Sequence, residues 1–311
     1  MSDFGAENAF AGAGAKLKEH YGIAVPVSAV RMVTEEHGAA MLAQEKQKSD
    51  WPESGGVAGV PVLIAEIDGS MLPVVETAEP GAGQAQDRRK TRQVSWKEAR
   101  LALAHAPGSV TPIFGATLGS AEEAGERLAV CALQAGAGRQ TKIHGVGDGA
   151  VWITEQMEVQ FGTQAKYLVD FPHVCEYLSA AGEVIAGNNK PDWMEKQKDG
   201  LKDNRWKEVL EALRPFLEQA NIPDPEAPVR ACFRYISNHS NFLDYKGALA
   251  AGLPIGSGEI ESAHRYVFQK RLKISGAWWK MENLKKVIAL RVLRANGDWE
   301  DYWNNLHQEA A

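Results

Sequence analysis

Cysteine is scarce: Cys131, Cys175 and Cys232 are the only three in 311 residues, odd in number, far apart and without a CxxC pair. That excludes a disulfide framework and a zinc ribbon. No run approaches the roughly 18 consecutive apolar residues that a membrane span requires. The first residues, Met1 to Lys16, are small and polar and lack an apolar stretch behind a basic start, so no secretory leader is expected. Internal repeats and low-complexity tracts are also missing. An excess of positive charge is absent too: the formal net charge is -6, which excludes a uniformly basic nucleic-acid coat. These absences leave a globular, soluble, cytoplasmic protein as the expectation.

The chain is long enough for two or three domains, or for one domain with a large insertion. A hydrophobic share of 44% and a charged share of 24% are ordinary. The charge is unevenly spread. Between Arg265 and Arg294 lie Lys270, Arg271, Lys273, Lys280, Lys285, Lys286 and Arg291, opposed by Glu282 alone. That is a local basic block in an acidic chain.

Along the chain, residues 8–48 read as two helices about Gly22, with Ser28 as N-cap of the second. This helix-turn-helix-like segment would place Arg31 against a phosphate or base; an ordinary helical hairpin fits the same pattern. A polar linker spans Lys46 to Gly59. The apolar run Val62 to Ile67 ends at Asp68-Gly69 and a second short run follows, which predicts a hairpin with Asp68 at the end of its first strand. Gly81 to Arg92 is a basic loop. Ser95 to Ala106 and Val110 to Thr117 are strand-like, although Lys97 to Leu103 also suits a helix. Ala121 to Gln134 is an amphipathic helix with acids in its first turns.

A strand then runs into Gly147-Asp148-Gly149, whose glycines allow backbone and ligand to approach closely. Another strand, Ala165 to Val169, meets a helix at Asp170-Phe171-Pro172-His173. Asp170 and His173 are placed to support a site there, or Asp170 simply caps the helix. Residues 187–252 read as an all-helical insertion. The stretch Gly256-Ser257-Gly258-Glu259-Ile260-Glu261 opens a helix whose two glutamates stand about 200° apart around the axis. Glu261, deeper in the helix, is the choice for chemistry; Glu259 suits the helix terminus.

Strand hairpin, helix, strand, helix, strand, helical insertion, helix is the order of a ribonuclease H-like α/β core. The expected division is a helical segment over 1–48, the first part of the core over 60–186, the insertion over 187–252, the glutamate helix and basic helices over 253–295, and a tail over 296–311. In such a core Asp68, Asp148 and Glu261 share one rim. They can hold two Mg²⁺ ions, with Mn²⁺ as a substitute, about 3.5–4 Å apart on either side of a scissile phosphate. Arg265, Lys270, Arg271 and Lys273 would hold the phosphate backbone, and Trp278 or Trp279 would stack on an unpaired base or pack in the core.

The strings Ile67-Asp68-Gly69, Gly147 to Ile153, Leu168 to His173 and Gly256 to Ser262 resemble the ISKra-type bacterial insertion-sequence transposases, relatives of the Mutator-like DDE enzymes. The resemblance extends from about Phe10 to Trp303. It implies a ribonuclease H-like core with an α-helical insertion, Mg²⁺ dependence, and cleavage and strand transfer at terminal inverted repeats. Its acidic triad falls on Asp68, Asp148 and Glu261, and its extra motif on Asp170 and His173. It also implies double-stranded DNA as partner (terminal repeats and target), a homo-oligomer on that DNA, no membrane, and a bacterial, nucleoid-associated location. Family members tend to extend further at the N-terminus, so a truncated copy is expected. Two alternatives stay open: a truncated transposase that only binds DNA, and a ribonuclease H-like nuclease without strand transfer.

Overall fold

The computed structural model describes residues 1–47, 59–77 and 92–309. Most of the expected linker and of the basic loop at Gly81 to Arg92 lies outside the described residues.

Three helices open the chain: α1 (Ser2–Glu7), α2 (Phe10–Tyr21) and α3 (Val27–Gln47). Gly22 ends α2 in the left-handed conformation (φ 68°), a position that glycine adopts without steric cost. Helix α3 already begins at Val27, directly behind Pro26, so Ser28 lies inside it and is not its N-cap.

Strand β1 (Val62–Thr77) passes through Asp68-Gly69 without turning. From Ile64 to Thr77 every residue pairs antiparallel with β2 (Arg92–His105). The hairpin expected at Asp68-Gly69 is therefore corrected to one continuous strand. The local preference of Asp-Gly for a turn yields to a long ladder of backbone hydrogen bonds. That ladder also makes Lys97 to Leu103 strand and not helix. Strand β3 (Ile113–Thr117) continues the antiparallel half of the sheet.

Helix α4 (Ala121–Gln134) follows, with Ser120 Oγ accepting from Glu123 N at its start. Then come β4 (Lys142–Gly147), α5 (Val151–Phe161), β5 (Ala165–Val169) and α6 (Phe171–Ala186). Strands β1, β4 and β5 run parallel to one another. The described residues thus form a mixed α/β fold with a five-stranded mixed sheet, ordered β3-β2-β1-β4-β5.

The insertion forms α7 (Lys190–Lys202), α8 (Trp206–Leu213), α9 (Pro228–Asn238) and α10 (Tyr245–Ala250). It does not stand apart. Leu201, Leu213, Val229 and Ile236 join Leu63, Ile67, Leu128 and Val174 in one buried cluster on the first face of the sheet. On the second face, Leu72, Val74, Leu101 and Leu103 pack against α11 (Gly258–Ala263), a π-helical stretch His264–Gln269, α12 (Lys270–Leu272) and α13 (Met281–Ala295). Each fully buried aliphatic side chain contributes about 1.5–3 kcal/mol to holding these layers together.

Residues expected as a tail form α14 (Trp299–Glu309), whose Tyr302 packs with Ala6, Met41 and Leu290. The amino-terminal helices are likewise docked on the body. A Cβ at Gly38 would lie 2.5 Å from the Lys286 carbonyl oxygen, so α3 and α13 touch backbone to backbone. No helix among the described residues is long and apolar enough to cross a membrane.

Candidate active site

The pairing register places three aspartates at one level. The parallel ladders end with Glu66 opposite Val146 and Gly147 opposite Val169. Carried two steps on between β1 and β4, the register sets Asp68 beside Asp148. One step on between β4 and β5 sets Asp148 beside Asp170. Adjacent strands lie about 4.8 Å apart, so the three backbones form a row just past the carboxyl ends of β4 and β5 and part-way along β1, where its pairing with β4 stops. In open α/β sheets, ligands bind in the crevice outside such strand ends.

A strap from Pro254 to Ser257 is stitched across this rim. His144 Nε2 lies 2.8 Å from Pro254 O, Phe171 N donates to Ile255 O at 2.8 Å, and Ser257 N donates to Asp170 Oδ1 at 3.0 Å. The fit at Gly256 is close: a Cβ there would sit 3.3 Å from both Asp170 Oδ1 and the Pro172 ring. The strap delivers α11, whose first turn carries Glu259 and Glu261. Beneath it, buried Glu66 accepts from Ile260 N at 2.9 Å. Alternation along β1 puts Glu66 and Asp68 on the same face, the one covered by α11.

The two glutamates point to different partners. Glu259 Oε2 lies 2.5 Å from Nε2 of buried His105 on β2. Glu261 lies close enough to Asp170 for its charge to raise that carboxyl further. Asp170 is held above the usual carboxylate range chiefly by burial, against the lowering effect of its bonds from Ser257 N and His173 N. Burial likewise pushes Glu66 up to about 8, with Glu259, Asp170 and Glu261 adding repulsion. Tyr167 is raised chiefly by burial, with the charges of Asp148, Asp170 and Asp68 adding to it against the lowering bond from Gly149 N.

Asp68 Oδ2 is 3.2 Å from Nε2 of His264, the residue at which α11 gives way to the π-helical stretch. Neither this contact nor that of His105 with Glu259 is aligned as a hydrogen bond. Single π-turns within α-helices are frequent at functional sites. Asp148 is set by its loop. Its Oδ1 accepts from Ala150 N at 2.8 Å, its carbonyl accepts from Tyr235 Oη at 2.5 Å, and Gly149 N donates to Tyr167 Oη at 3.0 Å. Gly149 has φ 84° and its carbonyl meets His239 Nε2 at 2.9 Å. The insertion thus reaches the rim through Tyr235 of α9 and His239 just after it.

Several expectations change in this setting. Asp170 caps α6 through His173 N at 3.1 Å and anchors the strap, so its work is structural as well as electrostatic. The His173 ring does not join it: it packs edge-on against Tyr177 and Tyr235 and pairs with Glu176 at 3.5 Å. Part of the basic block is paired or buried inside the molecule. Arg291 and Arg294 pair with Glu7 and Asp3 of α1, and Lys270 reaches Glu7 at 3.4 Å. Arg271 is 2% exposed and its Nε donates to Gly5 O. Lys273 contacts Ser70 Oγ at 2.9 Å, two residues beyond Asp68 on β1, while Arg265 is exposed. Arg31 is exposed with Glu35 at 3.9 Å. Trp279 is buried, its Nε1 donating to Leu272 O, so base stacking is closed to it and open only to Trp278.

The sequence reading passed over Glu66, His264, His105, Tyr167, Tyr235 and His239. Glu66 and His264 carried a usable signal: one is two residues before Asp68 on a strand, the other three after Glu261 on a helix, both same-face spacings. The other four come from separate parts of the chain and meet the rim only through the fold.

The donor set at the rim is all oxygen, which suits a hard divalent cation, and Glu66 Oε1 lies buried and unpaired below it. Among the described residues, no three His, Cys, Asp or Glu side chains converge closely enough to enclose a metal ion. The carboxylates share a rim without closing around a centre.

Residues 134–305, more than half of the chain, match the uncharacterised protein family UPF0236, and the chain belongs to that family. No curated protein matches the chain.

Proposed function

We propose that this protein is a DNA transposase of the DDE type, cleaving strands at the terminal inverted repeats of an insertion sequence and joining them to target DNA. The observation that carries this reading is the level row of Asp68, Asp148 and Asp170 across three adjacent strands, beneath a helix bearing Glu261. The strand order β3-β2-β1-β4-β5, with three antiparallel strands followed by two parallel ones, supports a ribonuclease H-like core. The resemblance to ISKra-type transposases points the same way. Action by several copies on paired DNA ends, in a bacterial nucleoid, belongs to the same proposal.

Asp68, Asp148 and Glu261 would hold Mg²⁺. When bound, divalent ions supply positive charge against the phosphodiester and lower the pKa of the attacking hydroxyl. The chain's own residues do the rest. Glu66 fixes the start of α11 relative to β1, Tyr235 and Tyr167 fix the loop of Asp148, and Lys273 offers a cation beside the rim. Ligation by Asp68 competes with its pairing to His264.

That competition, together with the open arrangement of the acids, favours a second reading in which this copy binds DNA without cutting it. One assay separates the two. A labelled duplex carrying the element's terminal repeat is incubated with Mg²⁺ or Mn²⁺ and either the natural chain or Asp148→Asn. Nicking at the repeat that is lost in Asp148→Asn, with DNA binding kept, is the expected result. Binding without nicking by the natural chain selects the second reading. Nicking that survives Asp148→Asn removes the assignment of the site. Joining of the cut 3′ end to a second duplex distinguishes a transposase from a nuclease.

A further inference from the structure

Behind the acidic rim, one buried cation is bonded to the backbone of the helix that carries Glu261. The π-helical stretch His264–Gln269 is the joint between α11 and α12. On one side of it, α11 is tied to β1, with Glu66 accepting from Ile260 N. On the other side, α12 is tied down twice. Arg271 Nε donates to Gly5 O at 3.0 Å, and Leu272 O accepts from Trp279 Nε1 at 3.0 Å. A π turn closes i to i+5 bonds in place of i to i+4, so it carries one residue more than the α turn it replaces. Losing that residue would rotate α11 by about 100° against α12. Glu259, Glu261 and His264 would then leave their present partners.

Arg291 of α13 reaches into this joint, and its side chain is 4% exposed. Its Nε donates to Val267 O at 3.2 Å and its Nη2 donates to Tyr266 O. Its Nη1 donates to Glu7 Oε1 of α1. One planar fork thus grips two consecutive carbonyls of the π stretch and a carboxylate from the first helix. A side chain bonded into the helix ladder is a recognised cause of a departure from α geometry. A guanidinium taken out of water needs a partner charge, and Glu7 supplies it. Val267 and Phe268 are fully buried in the second-face cluster, so the stretch is also held by packing. At its start, His264 Nε2 lies 3.2 Å from Asp68 Oδ2. A continuous line of contacts therefore runs from Glu7 through Arg291 and the π stretch to the rim.

We propose that Arg291 is a positioning residue for the acidic rim: its fork holds the π turn in register, which sets Glu261 over the rim and His264 on Asp68, while Glu7 of α1 holds the fork. The proposal rests on the reading above that the rim is the active site. It adds that the first helix acts on that site through Arg291. Lysine is no substitute here, because an ammonium lacks the planar fork that spans two carbonyls and a carboxylate. Anything that draws α1 off α13 would loosen α11 at the rim.

Hydrogen exchange read by mass spectrometry, on the full chain in EDTA and below the onset of melting, tests the joint directly. Arg291→Lys should speed exchange across residues 258–269 by about tenfold or more, while α4 and α6 exchange as in the natural chain. Glu7→Gln keeps an acceptor and removes the charge, so a smaller rise of about 2- to 5-fold is expected over the same residues. Arg294, which pairs with Glu7 and Asp3, is the control: Arg294→Gln should leave 258–269 unchanged. Unchanged exchange over 258–269 in Arg291→Lys overturns the proposal. So does a rise shared equally by α4 and α6, which marks a general loss of stability. A second measurement asks whether the joint reaches Asp68. His264→Leu is expected to raise the affinity for Mn²⁺, and in the Arg291→Lys background most of that gain should vanish, because the ring is no longer held on Asp68. A gain of equal size in both backgrounds overturns the positioning role. If the natural chain binds no Mn²⁺, the metal-dependent reading of the rim fails, and exchange over 258–269 still decides whether Arg291 holds the joint.

Discussion

Nε2 of His264 lies 3.2 Å from Oδ2 of Asp68, so the helix that carries Glu261 also grips the strand aspartate of the proposed triad. The two ends of this contact are 196 positions apart in the chain. It joins the second-face helices to β1 at the level where β1 leaves β4, and it sets the first prediction.

A divalent ion and His264 compete for the same carboxylate. His264→Leu is expected to keep stability within about 1 kcal/mol of the natural chain, because neither ring nitrogen makes a hydrogen bond. It should also raise the apparent affinity for Mn²⁺, read as the concentration giving half of the maximal thermal shift. A lower Mn²⁺ affinity in the variant would show that His264 supports the ion.

Glu66 is judged by two replacements. Glu66→Gln keeps an acceptor for Ile260 N and removes a carboxyl that burial keeps from ionising readily, so at pH 7 its stability should stay within about 1 kcal/mol of the natural chain. Glu66→Ala leaves Ile260 N without its acceptor and opens a void, and about 2–4 kcal/mol should be lost. Denaturant titration of both variants decides it. Equal losses would mean that the bond to α11 contributes nothing.

The Asp148 loop depends on a backbone shape that only glycine adopts freely. Gly149 has φ 84°, and a Cβ there would lie 2.6 Å from His239 Nε2. Gly149→Ala should destabilise the chain by about 2–4 kcal/mol, part from φ and part from the clash. Adding His239→Ala removes the clash alone, so the double variant should lose less than the sum of the two singles. Strict additivity in a double-mutant cycle would refute the contact.

His144 predicts a pH dependence. Burial holds its imidazole below the ordinary value of 6.5, against the opposing pull of Pro254 O. The unfolded chain therefore takes up a proton first as pH falls. This contribution to stability is present in full above about 6.5 and is lost as pH falls through the lowered folded-state value. Stability measured from pH 8 to pH 5 should fall less steeply in His144→Gln than in the natural chain. Identical slopes would assign the acid sensitivity to other groups.

Much of this molecule was legible in the chain. Ala121 to Gln134 has an apolar stripe behind a serine cap, and Gly147-Asp148-Gly149 follows an apolar run. Such short-range patterns specify their own local structure, because the residues involved are neighbours on one helix turn or one strand. The strings around Asp68, Asp148, Asp170 and Glu261 likewise identified the stretches that meet at the rim. The Asp68-Gly69 hairpin misled because an Asp-Gly pair states a local preference, whereas pairing with β2 over fourteen residues is a sum of distant hydrogen bonds. Part of the basic block is likewise paired at long range. Charge is visible in sequence, but its neutralisation by Asp3 and Glu7 from the opposite end of the chain is not.

The sequence by itself determined which segments are strands or helices at most positions, and that Asp148 and Asp170 follow strands. Only the tertiary structure decided which of those acids share a level, that Arg271 is buried without a carboxylate, and that Trp278 and not Trp279 faces solvent. Propensity and periodicity act over a few residues. Register, burial and charge pairing are settled by whichever distant segment packs against them.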